Sequence, residues 1–147
     1  MEKNAKILIV DDDENIRKTM RTILEDEGYT VDEATNGNEA IELTKQTAYN
    51  IALLDIRLPD MEGIELLELL KDPVPKTRKI MITGYPSMQN AITALNKKAD
   101  AYLIKPVDIE KLLNIVKEQL KLQEEEKNFS EQKVAEFIET RVKEITL

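Results

Sequence analysis

The chain contains neither histidine nor cysteine among its 147 residues. Without cysteine there is no disulfide framework, thiolate zinc site, iron–sulfur cluster or cysteine nucleophile. Without histidine there is no Ser-His-Asp machinery and no imidazole metal site. Any metal must therefore be held by oxygen, which favours a hard cation such as Mg²⁺. Basic charge is also scarce: 21 Lys and Arg face 29 Asp and Glu, a net charge of −8. That balance argues against nucleic-acid binding by this chain. Long apolar runs are missing too. The N-terminal residues lead only into Ile7-Leu-Ile-Val10, too short for a signal-peptide core, and no run reaches transmembrane length. The expectation is a soluble, cytoplasmic protein with no membrane contact.

What is present is a regular alternation. Ile7 to Val10, Tyr29 to Ala34, Ile51 to Leu54, Lys79 to Ile82 and Ala101 to Ile104 read as short strands. The first and third are apolar throughout, as strands buried on both faces should be. Between them lie helical stripes. Ile16, Met20, Ile23 and Leu24 precede a stop at Gly28, and Asn36-Gly37 opens a second helix. Ile64 to Leu70 form a third helix, closed by Pro73 and Pro75; Pro86 to Asn96 form a fourth; Asp108 caps a fifth, carrying Ile109, Leu112, Val116 and Leu120. Five strands alternating with five helices predict an α/β domain with a parallel sheet covered on both faces.

In such open sheets the ligand site lies beyond the carboxyl ends of the strands. The residues there are Asp11 and Asp12, Asp55, Thr83 and Lys105. Crowded carboxylates repel one another and raise each other's pKa; a divalent cation relieves this. Lys105 supplies a compact positive charge and Thr83 a hydroxyl. Carboxylates also accept phosphoryl groups as acyl phosphates. The set reads as a Mg²⁺-assisted phosphoryl-transfer site with Asp55 as nucleophile. Taken singly each residue has a plainer role: Asp55 a turn residue, Thr83 the same, Lys105 a solvated lysine. For Asp13 the plainer role prevails, as cap of the first helix.

Four segments, in order, resemble the receiver domain of two-component response regulators: Ile7-Leu-Ile-Val-Asp-Asp-Asp-Glu-Asn-Ile-Arg17, Leu54-Asp-Ile-Arg-Leu-Pro-Asp-Met-Glu-Gly63, Ile82-Thr-Gly84 and Tyr102-Leu-Ile-Lys-Pro106. The resemblance covers residues 5 to about 120 and is nearest to nitrogen-regulator-type receivers. It implies a flavodoxin-like, doubly wound sheet of order 2-1-3-4-5. It implies that Asp55 accepts a phosphoryl group from a histidine kinase or phosphotransfer protein. Asp11, Asp12 and Asp55, with the backbone carbonyl of Arg57, are implied to hold Mg²⁺, with Mn²⁺ or Ca²⁺ as substitutes. Thr83 is implied to bond the phosphoryl oxygens, Lys105 to neutralise them, Gly84 to let the threonine loop move, and Tyr102 to act as an aromatic switch. The fourth helix, fifth strand and fifth helix would then change their contacts. Without the resemblance, Tyr102 reads as a half-buried strand tyrosine. Arg57 and Tyr85 stand where such receivers vary; Arg57 either tunes hydrolysis of the acyl phosphate or is a surface residue.

Two other classes compete. A haloacid-dehalogenase-like phosphatase also uses a strand-end aspartate, but needs a second Asp two residues on, where Arg57 stands. A degenerate receiver would act as an inert interaction module; the intact acidic set, Thr83 and Lys105 speak against it. The expected division is a receiver over 1–122 and a helical extension or linker over 123–147. That extension carries seven acids and four bases and no Gly or Pro. Gln123 to Asn128 breaks the apolar stripe and predicts an exposed joint. A new stripe of Val134, Phe137, Ile138, Val142 and Ile145 follows. A helix of about seventeen residues, about 25 Å long, is marginal alone in water. Its apolar face should dock on the receiver, on a second subunit or on an output domain. Homodimerisation is expected through this helix or through the face around the fifth strand.

Overall fold

The computed structural model describes residues 4–73, 75–84, 87, 93 and 99–146, with 143–146 as backbone only. Strand β1 (Lys6–Val10) is followed by α1 (Glu14–Asp26), β2 (Thr30–Ala34), α2 (Gly37–Gln46) and β3 (Ile51–Asp55). Then come α3 (Gly63–Leu69), β4 (Arg78–Thr83), β5 (Ala101–Ile104) and a long helix α4 (Ile109–Thr146). The helix expected over residues 86–96 lies outside the described residues, as do Tyr85 and Pro86. Thus α4 here corresponds to the fifth expected helix.

All strand pairs are parallel, in the order β2-β1-β3-β4-β5. This is the parallel α/β sheet that the alternation predicts, in the doubly wound order that the resemblance implies. The continuous apolar strands bury alternate residues on opposite faces. Ile7, Ile9, Ile51, Leu53, Ile80 and Ile82 pack under Met20 and Leu24 of α1 and Leu112, Val116 and Leu120 of α4. Leu8, Val10, Ala52, Leu54 and Met81 pack under Ala40 of α2 and Leu66 and Leu67 of α3. The register lines up the strand ends: Val10 pairs with Ala34 and Leu54, Asp55 with Ile82, and Thr83 with Ile104. The residues at and just after these pairs therefore emerge along one rim.

The caps agree with the local chemistry. The Asp13 carboxylate accepts from Asn15 and Ile16 N–H, and the Asn36 side chain accepts from Glu39 N–H. Gly28 ends the α1 connection with φ 97°, in the left-handed region.

The expected joint at residues 123–128 is absent, and α4 runs through it unbroken for 38 residues. Gln, Glu and Lys are good helix formers, so interrupting an apolar stripe with them does not end a helix. Gln123 is also buried rather than exposed. Its amide donates to the carbonyls of Asn50 (3.1 Å) and Lys76 (2.8 Å) and accepts from the Asn50 side chain (2.9 Å). Further along, Phe129, Val134, Phe137, Ile138 and Val142 are all more than half exposed, so this stripe is not folded back on the sheet. Lys133 and Arg141 lie over the Phe129 and Phe137 rings, 5.4 and 5.6 Å from their centres. Among the described residues no helix is long and apolar enough to cross a membrane.

Candidate functional site

Asp11 follows β1, Asp55 ends β3, Thr83 ends β4 and Lys105 follows β5. The Lys105 Nζ donates to Asp11 Oδ2 at 2.8 Å and to Asp55 Oδ2 at 3.2 Å. Asp11 and Asp55 are buried, whereas Asp12 is exposed. Carboxylate oxygens of all three lie within 4.8 Å of one another. The remaining oxygen of Asp11 accepts from the Asp13 N–H (2.9 Å), and that of Asp55 from the Arg57 N–H (3.2 Å). One ammonium therefore serves two buried carboxylates beside a third acid.

Protonation follows from that imbalance. Burial raises the pKa of Asp55, and the charge of Asp11 raises it further; Lys105 and the Arg57 N–H only partly oppose them. Burial works against the charge on Lys105 as well, but its contacts with Asp11 and Asp55 prevail and its pKa is raised. The two partners thus respond differently, because the ammonium gains from two acids while Asp55 gains from one ammonium and loses to burial and to Asp11. An all-oxygen, multiply anionic donor set of this kind fits a hard divalent cation.

The other expected residues stand close by. Thr83 is fully buried, and its carbonyl accepts from the Lys105 N–H at 2.7 Å. Among the described residues, a Cβ at Gly84 would meet only the Lys105 stem, at 3.8 and 3.9 Å. Tyr102 is half-buried and packs against the core beside α2 and α3. Its hydroxyl is buried and makes no hydrogen bond of good geometry among the described residues. Burial raises this phenol's pKa, and the neighbouring Ser87 backbone offsets it only weakly. Arg57 is exposed, and its backbone N–H donates to Asp55.

Three supports lie within the segments that carry the resemblance, but the sequence does not show what they touch. Gly63 packs so closely under the loop after β3 that a Cβ there would overlap the Asp55 carbonyl and come within 2.9 Å of Ile56 Cα. The Asp60 carboxylate accepts from the Gly37 and Asn38 N–H groups (2.8 and 2.9 Å), tying the loop after β3 to the α2 N-terminus. Arg17 donates through Nη1 to the Asp11 carbonyl at 2.8 Å and through Nε to Glu33 at 3.0 Å. A Gly at the end of a turn, or an Arg one helical turn past a cap, shows its target only once the chain is folded.

The family profile of the response regulator receiver domain matches residues 7–117. The chain belongs to this family. This receiver is 47% identical, with a TM-score of 0.80, to a CheY-like response regulator receiver domain from Methanospirillum hungatei, over 84% of this chain and 98% of that one. It is 30% identical, with a TM-score of 0.71, to a Burkholderia pseudomallei response regulator solved with a phosphorylated aspartic acid, a calcium ion and citrate. That alignment covers 84% of this chain and 73% of the other. It is 36% identical over 118 residues, 80% of its length, to the regulatory protein AtoC of Escherichia coli. The chain spans about a quarter to a half of the curated relatives it matches, 26% of AtoC among them.

Proposed function

We propose that Asp55 of this receiver is the phosphoacceptor, with a phosphohistidine on a histidine kinase or phosphotransfer protein as donor. The observation that carries this is the sharing of Lys105 between buried Asp55 and Asp11 at the carboxyl ends of the strands. In the transfer, an Asp55 carboxylate oxygen bonds to phosphorus as the P–N bond breaks, and the imidazole leaves with the electron pair. Lys105, already at hydrogen-bond distance, neutralises the charge that arrives. Asp11, Asp12 and Asp55, with the Arg57 carbonyl, hold Mg²⁺, and Mn²⁺ or Ca²⁺ substitute. When bound, the cation offsets phosphoryl charge and orients the incoming group. The B. pseudomallei relative, with its phosphorylated aspartate and calcium, supports both parts of the reading.

After transfer, Thr83 hydrogen-bonds a phosphoryl oxygen, and Gly84 gives the loop its freedom. Tyr102 responds to the Thr83 position, and the pair forms a two-state element biased by local charge; the buried Tyr102 hydroxyl without a hydrogen bond among the described residues supports this reading. The protein acts as a stoichiometric acceptor and not as a turnover phosphatase, for which Arg57 stands where the general acid would be needed. The reading goes with a cytoplasmic location, where a nucleotide-fed kinase recharges the donor. It also takes residues 1–122 as the receiver and 123–147 as a helical extension whose exposed stripe pairs with a second copy. In that pairing two copies of the long α4 bury each other's exposed apolar stripes.

The test is labelling with acetyl phosphate and Mg²⁺. Asp55→Asn abolishes it and EDTA abolishes it in the wild type; stoichiometric labelling of the variant, or labelling without metal, overturns the assignment. Light scattering with and without beryllofluoride checks the pairing, which a Val134→Glu, Ile138→Glu double variant should prevent.

A further inference from the structure

We infer that Arg17 is a positioning residue for the metal site, acting through the Asp11–Asp12 peptide; this rests on the reading of Asp11 and Asp12 as cation ligands. Arg17 belongs to α1, yet its side chain is only 11% exposed and bridges two strand ends. Nη1 donates to the Asp11 carbonyl at 2.8 Å, and Nε to Glu33 of β2 at 3.0 Å. The second oxygen of Glu33 is held by Arg21 at 2.7 Å. Arg21 and Arg17 together keep the Glu33 carboxyl below the usual range, so this anion is a permanent anchor for the guanidinium.

The consequence concerns backbone orientation. Asp11 is tied at every polar group: its N–H to the Ala34 carbonyl, its carboxylate to Lys105 and the Asp13 N–H, and its carbonyl to Arg17. The carbonyl of Asp11 and the N–H of Asp12 share one rigid peptide plane. Fixing that carbonyl fixes the plane from which the Asp12 N–Cα bond departs and so narrows the directions open to its exposed side chain. Arg17 sets the approach of Asp12 to Asp11 and Asp55, while Glu33 keeps the guanidinium's charge from being spent on the acids themselves. Groups that orient a ligand without touching the ion typically change metal affinity about 10- to 100-fold when removed.

The experiment is Mn²⁺ binding followed by electron paramagnetic resonance of the free ion, with Mg²⁺ as competitor, on the full chain. Arg17→Met is expected to weaken Mn²⁺ binding at least about tenfold. Arg21→Met, which also loses a bond to Glu33 but none to Asp11, should stay within about twofold of wild type. Unchanged affinity in Arg17→Met, or equal losses in both variants, overturns the inference by reducing Arg17 to a clamp between α1 and β2. If Arg17→Met does not fold, Arg17→Lys decides: a severalfold loss supports positioning and wild-type affinity overturns it. Asp12→Asn separates the two layers of the proposal. Wild-type Mn²⁺ affinity in that variant removes the metal reading itself, whatever Arg17 does.

Discussion

The two ends of the sheet carry similar numbers of charged groups and use them in opposite ways. At the carboxyl ends, Asp11, Asp12 and Asp55 share Lys105. At the amino ends, a polar hollow of about 260 Å³ is lined by Asp72, Asp100 and Glu126 and by Lys76, Arg78 and Lys79. There the charges pair off: Lys79 with Asp72 at 2.8 Å, Arg78 with Glu126 at 3.2 Å and Asp100 at 3.6 Å. Gln119 and Gln123 fill in with hydrogen bonds to Arg78, Asn50 and Lys76. A balanced cluster holds elements together and asks for nothing more. An unbalanced one retains a demand for positive charge, and that demand marks the site.

The largest expected contrast comes from removing one lysine at each end. Lys105→Met leaves two buried carboxylates facing each other and should cost about 3 kcal/mol in urea unfolding without metal, partly restored by millimolar Mg²⁺. Lys79→Met strands only Asp72, which reaches water, and should cost under about 1 kcal/mol with no response to Mg²⁺. Equal costs would erase the distinction between the two ends.

Next in size is Gln123→Ala. It removes the Gln123 donor from the Lys76 carbonyl and leaves the Asn50 carbonyl with only the Arg78 N–H; it should cost about 1–2 kcal/mol, again with no Mg²⁺ dependence. A Mg²⁺-sensitive loss there would show the two ends to be coupled.

Smaller, and opposite in sign, is Asp55→Asn. The folded pKa of Asp55 is raised, so the folded state holds its proton more tightly than the unfolded chain. Its contribution to stability is then greatest at low pH and is lost as pH rises from the ordinary carboxylate range through the raised value. Without metal, the variant should melt a few degrees above wild type at pH 7, and the gap should close below about pH 4. A variant less stable than wild type at pH 7 would mean that Lys105 more than compensates the crowding. Smallest is Gly84→Ala, whose added methyl has ordinary contact distances; its stability should stay within about 0.5 kcal/mol. A larger loss would place hidden strain at the Thr83 loop.

The carboxyl end was legible because sheet topology turns strand boundaries into addresses: locating where four apolar runs stop was enough to gather Asp11, Asp55, Thr83 and Lys105. Asp13 as a cap followed from an equally local pattern. The amino end was not legible. Gln123 looked like an interruption, since nothing local says that an amide in a helix will meet the carbonyls of Asn50 and Lys76 from distant loops. Lys79 opens an apolar run in β4 yet is buried, because Asp72 comes to it from the other side of a connection. Arg17 and Gly63 stand in segments that carry the resemblance, but their contacts were not readable for the same reason: each acts on the backbone of a residue that only folding brings near.

The unbroken α4 gives the molecule reach. Gln123 and Glu126 anchor its root against the loops at the amino ends of the strands. Beyond them some twenty residues continue as a single rod of about 30 Å. A rod magnifies rotation: a tilt of about 10° at the root would swing the tip by about 5 Å. A change too slight to register in the core would arrive at the far end as a displacement the width of a side chain.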